Sequence, residues 1–159
     1  MKYSSTQSAL RILLITVGFV GGIAQAEKPS LPDQDTQKHL GVASCASSTC
    51  HGSVKPLEKT RVLQNEYVIW SRQDPHSRAM QTLRNAESQR IADNLGLDKP
   101  AHEAPICMDC HLDNPAPKAR GPKFTQNDGI GCEACHGGAE NWLKSHTDSN
   151  RSVKENVAA

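Results

Sequence analysis

The chain has 159 residues, with 18 basic and 17 acidic side chains and a formal net charge of +1. That balance excludes the strongly basic surface by which proteins hold nucleic acid. The length sets the scale of a single domain, and no Ser/His/Asp arrangement or glycine-rich phosphate loop points to hydrolytic or nucleotide chemistry.

Residues 1–26 read as an export signal. Lys2 and Arg11 supply positive charge, Ile12 to Ile23 is apolar, and Ala24-Gln25-Ala26 offers the small-x-small site of a signal peptidase. With Gly21 and Gly22 inside it, the apolar run is short of the ~20 residues that span a bilayer. No stable membrane anchor is therefore expected, and no cysteine follows the cut to carry a lipid. Cleavage after Ala26 would deliver the chain to the periplasm. Removing Lys2 and Arg11 leaves 16 basic residues against 17 acidic ones.

Residues 27–40 are polar and proline-punctuated, as in a flexible lead-in. His39 at its end is a candidate ligand, with solvent exposure the simpler expectation. Next comes Cys45-Ala46-Ser47-Ser48-Thr49-Cys50-His51, flanked by the small residues Gly41, Ala43, Ser44 and Gly52. The spacing of Leu63, Tyr67 and Trp70 predicts a helix over 56–71. Asp74-Pro75 has the form of a helix start, Asp as N-cap and Pro at the first position. On the helix that follows, His76, Ala79, Met80 and Leu83 share one face. Met80 is expected to fill space beside a ring. Another helix covers 86–95 and ends at Gly96.

Residues 97–105 are turn-rich and carry His102, balanced between ligand and surface. Cys107-Met108-Asp109-Cys110-His111 follows. Residues 112–128 hold Pro115, Pro117, Gly121 and Pro122 and cannot form a long helix. Their Lys118, Arg120 and Lys123 read as a solvated basic patch, with an acidic partner or the anionic groups of a cofactor as the alternative. Cys132-Glu133-Ala134-Cys135-His136 comes next. A last helix is expected to put Ala139, Trp142, Leu143 and His146 on one face, and residues 148–159 to form a loose tail.

The cysteines and the apolar content belong together. Leu, Ile, Val and Phe make up 20 of the residues from Glu27 onward, about 15%, below the ~20% at which disorder is expected. Such a chain closes a core only with help, from disulfides, a metal or a large cofactor. All six cysteines fall in three pairs, and each pair is followed directly by a histidine: His51, His111 and His136. Disulfides give no reason for the histidines, and zinc sites favour compartments where thiols stay reduced. C-x-x-C-H is the attachment signature of haem c, the thiols adding to the vinyl groups and the imidazole reaching the iron. Cys107, Cys110, Cys132 and Cys135 fit it directly. Cys45 and Cys50 fit it if the two extra residues loop outward, a local disulfide being the alternative. Three c-type haems are thus expected.

His76 and His146 are placed to approach irons from the opposite side. With His102 or His39 completing the set, every iron would be bis-histidine and the protein an electron carrier. With one iron five-coordinate, it would be an enzyme or ligand-binding cytochrome acting on a nitrogen oxide, hydroxylamine or peroxide.

The ordered series Gly41-Val42, Cys45…Cys50-His51-Gly52, Trp70, Asp74-Pro75-His76, Cys107…His111 and Gly129-Ile130-Gly131-Cys132…His136-Gly137, with Trp142 and His146 downstream, resembles the multihaem cytochromes c of the cytochrome c-554 type. These are relatives of the haem cores in pentahaem nitrite reductase and hydroxylamine oxidoreductase. The resemblance covers roughly residues 41–146 and implies a mainly α, loop-rich fold around stacked haems, a trihaem domain over 41–147. It implies proximal roles for His51, His111 and His136, distal roles for His76 and His146, and periplasmic or membrane-bound redox proteins as partners. The chain departs from the pattern in having cysteines for three haems rather than four, and it lacks the C-x-x-C-K site of the nitrite reductases.

Overall fold

The structure is a computed structural model that describes residues 36–157. The export signal and most of the lead-in lie outside the described residues. The fold is mainly helical and loop-rich, with α1 (Glu66–Gln73), α2 (Ala79–Thr82), α3 (Ala86–Asn94), α4 (Pro105–His111), α5 (Glu133–His136) and α6 (Val153–Val157). Between them run short 3-10 turns and loops. Among the described residues there is no strand, only one isolated parallel bridge between His39 and Arg120.

Local chemistry sets the helix ends. Asp74, preceding a proline, takes the extended conformation (φ −82°, ψ 123°) that stops α1. Its side chain then accepts from the His76 N–H and opens the turn Pro75–Arg78. Asn85 caps α3 by accepting from the Ser88 N–H. Gly96, at φ +66°, closes the same helix, with Leu97 N–H returning to the Ala92 carbonyl. Pro105 occupies the first position of α4.

The predicted helix over 56–71 is shorter. Ser53 N–H donates to the Gln64 carbonyl at 2.7 Å and Leu57 N–H to Leu63 at 2.9 Å, folding 53–64 into a loop closed on itself. Gln64 at φ +59° is off the helical path, so Leu63 is exposed and does not share a face with Tyr67 and Trp70. The segment 139–146 also differs from expectation. It is built of turns, with N–H bonds from Leu143 to Ala139 and from His146 to Trp142, then a 3-10 turn over Ser145–Thr147. In the tail, α6 is held by Ser152 N–H and hydroxyl donating to Glu155 at 2.7 Å.

The apolar core is small: Met80, Leu83, Ala92, Ala101 and Leu112, with Leu97, Cys107 and Met108 packed on it. Met80 is 4% exposed, a filler as expected. His76, by contrast, leaves that face, because the 3-10 turn at Pro75–Arg78 rotates it away from α2.

His39 corrects the expectation of solvent exposure. It is 0% exposed, with Nδ1 2.8 Å from Asp113 Oδ2. Its backbone pairs with the loop opposite, His39 N–H to Ala119 and Gly121 N–H to His39, both 2.8 Å. Lys38 Nζ meets Glu140 at 2.7 Å on the other side. Residues 38–41 are thus a strap through the middle of the molecule. Arg120 is likewise no solvated cation: it donates to the Pro115 carbonyl at 3.0 Å and to Asn114 at 3.1 Å, and lies over the Phe124 ring. Lys118 and Lys123 are exposed.

Candidate haem-binding site

All six cysteines carry free thiols, and the structure sorts them into two places. Cys45, Cys50, Cys132 and Cys135 line one cavity of about 550 Å³. His51, His76, His136 and His146 line it as well, together with Tyr67, Trp70 and Trp142. The first and third attachment motifs therefore face a common space with both of the histidines expected from the opposite side. Cys107, Cys110 and His111 lie elsewhere, on α4 against the core. Cys110 is exposed and Cys107 half-buried.

The local geometry explains why the irregular motif resembles the regular one. In the third motif the His136 N–H donates to the Cys132 carbonyl at 3.0 Å, and in the first the His51 N–H donates to the Cys45 carbonyl at 3.1 Å. The two added residues are absorbed in an exposed bulge at Ser47, Ser48 and Thr49, closed by Cys50 N–H and Gly52 N–H on the Ser47 carbonyl, both 2.9 Å. The same histidine-to-first-cysteine closure survives the longer spacing.

Three of the cavity histidines have Nδ1 engaged. His51 Nδ1 is 3.0 Å from Glu66 Oε2, His76 Nδ1 is 2.9 Å from Asp74 Oδ1, and His146 Nδ1 donates to the Leu143 carbonyl at 2.7 Å. Holding Nδ1–H on an acceptor leaves Nε2 with its lone pair, the state an imidazole needs to bind a metal. The His51 and His146 rings are parallel within 9°, with centroids 6.2 Å apart. Trp142 meets His146 edge-on at 5.3 Å and fixes its tilt. These residues fit a haem.

The Cys45 and Cys132 thiols are hydrogen-bonded to each other. That bond, then burial, pushes the Cys45 thiol far above its ordinary range, and the same bond lowers Cys132. Sulfurs of two different motifs are thus neighbours. At Glu66, burial opposes the charge, but the His51 hydrogen bond and backbone N–H groups outweigh it and hold the carboxyl below its ordinary value.

Two functional positions carry no motif of their own in the sequence. Glu66 is found only through its contact with His51. Glu133, inside the third motif, is 3% exposed. Its carboxylate accepts from the N–H groups of Leu40, Gly41 and Ala139 at 2.7, 2.7 and 2.8 Å, tying the third attachment helix to the chain that enters the first. His102 is half-buried, its Nε2 3.7 Å from Glu103; it lies on the turn Ala101–Glu103, against α4. The structure does not bring it to the shared cavity.

Repeated thiol pairs ending in histidine, on a helical loop-rich frame around an aromatic-lined cavity, define a c-type cytochrome. The family model for cytochrome c554 and c-prime matches residues 44–137, more than half of the chain, which belongs to that family. It is accordingly a haem-containing electron-transfer protein with covalently bound haem c. Neither the curated proteins nor the solved structures contain a match. His146 lies beyond the matched segment.

Proposed function

We propose that this chain is an exported, periplasmic carrier of single electrons holding three c-type haems. They are attached at Cys45 and Cys50, at Cys107 and Cys110, and at Cys132 and Cys135, with His51, His111 and His136 as proximal ligands. His146 and His76, on the same cavity as His51 and His136, would be the distal ligands there. The observation that carries this reading is the one cavity walled by four of the cysteines and by four histidines, among them His51 and His146 with rings stacked 6.2 Å apart. Bound haem c supplies a one-electron couple whose potential follows its axial ligands and burial. The chain's own part is to direct Nε2 of His51, His76 and His146 inward by holding Nδ1, and to keep water from the cavity with Tyr67, Trp70 and Trp142. Its partners are redox proteins, periplasmic or membrane-bound. No helix among the described residues is long and apolar enough to cross a membrane.

A second reading rests on the α4 site. His111 does not line the cavity that holds His51, His76, His136 and His146, and His102 on the neighbouring turn has its Nε2 toward Glu103. If His102 stays there, the second iron is five-coordinate and the protein is an enzyme or ligand-binding cytochrome for a nitrogen oxide, hydroxylamine or peroxide. The test is one preparation and two measurements. Pyridine haemochrome against the mass of the mature chain should give three haems, and two would return Cys45 and Cys50 to a disulfide. Carbon monoxide added to the reduced protein should leave the Soret band unmoved for the carrier and shift about one-third of it for the second reading.

A further inference from the structure

The most demanding polar group in the molecule is Asp113, 6% exposed. Its Oδ2 meets His39 Nδ1, while its Oδ1 is buried and has no hydrogen-bond partner. Glu133 presents a second buried carboxylate, the ligand atoms of His39, Asp113 and Glu133 lying within 4.8 Å of one another. Glu133 is supplied with three backbone N–H groups; nothing comparable serves Asp113 Oδ1. A buried carboxylate oxygen left so bears its full desolvation cost.

Asp113 also forms a wall of a small cavity of about 10 Å³, room for the centre of one water-sized or ion-sized occupant. Asp128 and Thr125 stand on the same cavity, with Gly41, Gly129 and Gly131 closing it, and no lysine, arginine or histidine lines it. Burial raises the Asp128 carboxyl above its ordinary value, as it must for an acid with no cation beside it.

We propose that this cavity binds one calcium ion, with Asp113 Oδ1 and the Asp128 carboxylate as its charged ligands. Two carboxylates, of which His39 meets only Asp113 and only at Oδ2, leave negative charge at the cavity for a divalent ion to match. Oxygen is the only ligand atom the lining offers, Val42 and Phe124 being apolar walls, which suits a hard cation better than zinc. Calcium accepts carboxylates, hydroxyls and backbone carbonyls in irregular arrangements, whereas magnesium demands near-octahedral geometry. The place gives the ion a task. Gly41 lies on the chain entering Cys45, Asp113 just past His111, and Gly129 and Gly131 on the chain entering Cys132. One ion there staples the three attachment segments together, in a chain whose apolar core is too small to do so alone.

The experiment uses the full haem-loaded protein, stripped with EGTA and titrated with CaCl2 by calorimetry, while melting is followed at the Soret band. The expected result is one Ca²⁺ per chain and a melting point raised by about 5–10 °C at a hundredfold excess over Kd, with no such rise from MgCl2 or NaCl at equal ionic strength. Asp128→Asn, at a half-exposed position, should melt no lower than the parent in EGTA yet gain nothing from CaCl2. Asp113→Asn should lose the ion too, and if it fails to fold, the Asp128 variant decides. If the parent binds no Ca²⁺ at millimolar concentration, or the Asp128 variant responds like the parent, the proposal falls and the cavity holds a water. A haemochrome count of three in each sample keeps this outcome separate from the haem assignment.

Discussion

His51 and His146 come from opposite ends of the folded chain, yet their rings are parallel within 9° and 6.2 Å apart. Each is fixed by its own Nδ1 hydrogen bond, to Glu66 and to the Leu143 carbonyl. Were both to bind one iron with their planes still parallel, they would donate into the same d orbital and give a rhombic low-spin EPR signal rather than a strongly axial one. His146→Ala should convert one haem to a form that binds carbon monoxide, shifting about one-third of the Soret intensity. A variant as inert to carbon monoxide as the parent would break the pairing.

Glu66→Gln removes the charged acceptor behind His51. A carboxylate on Nδ1 makes the imidazole a stronger donor and favours ferric iron. The variant should therefore raise the potential of one haem, by on the order of the ~59 mV of a tenfold one-electron change, with the other haems unmoved in a spectroelectrochemical titration. The stability effect has a pH signature. The Glu66 carboxyl is depressed in the fold, so its contribution is present above the ordinary 4.5 and is lost as pH falls through the depressed value. Parent and variant melting points should converge in acid. A gap that widens there would contradict the hydrogen bond.

Gly129 sits at φ +67°, ψ −134°, and a Cβ there would lie 2.4 Å from the His76 carbonyl oxygen. Only glycine adopts that conformation readily. Gly129→Ala should cost about 1–3 kcal/mol from the backbone alone. It should also displace the His76 turn, whose carbonyl accepts the Ile130 N–H at 3.0 Å. Thermal melting gives the cost, and a changed EPR signal at a single iron reports the turn; an unchanged melting point would refute the close approach.

Glu133→Ala strands three buried N–H groups, those of Leu40, Gly41 and Ala139. At about 1–3 kcal/mol for each unmet group, the loss reaches the ~5–15 kcal/mol of a whole domain. The variant should fail to accumulate as haem-stained protein, while Glu133→Gln, which keeps one acceptor oxygen, should accumulate at a lowered melting point. Normal accumulation of the alanine form would show the carboxylate to be dispensable.

Short-range features were legible in the sequence. The stop at Gly96 closes α3, and Asp74-Pro75 both ends α1 and starts the His76 turn, because these involve neighbours within a few residues. Periodicity misled at 56–71, where Leu63, Tyr67 and Trp70 have helical spacing but Gln64 has left helical dihedrals. Polarity misled at His39, whose burial depends on Asp113 far along the chain, and at Arg120, whose side chain turns back on Asn114, Pro115 and Phe124.

The sequence by itself determined the attachment chemistry, since thiol and imidazole spacing within five to seven residues is nearly a covalent matter, and with it the family and the shortage of apolar core. Only the tertiary structure decided that the first and third motifs open on one cavity while the second stands apart on α4. It alone stacked His146 on His51, put Cys45 beside Cys132, and left Asp113 Oδ1 unpartnered at a cavity bounded by all three attachment segments. Each of these depends on which distant segments meet, and that follows from the buried hydrogen bonds of His39 and Glu133, which no local spacing encodes.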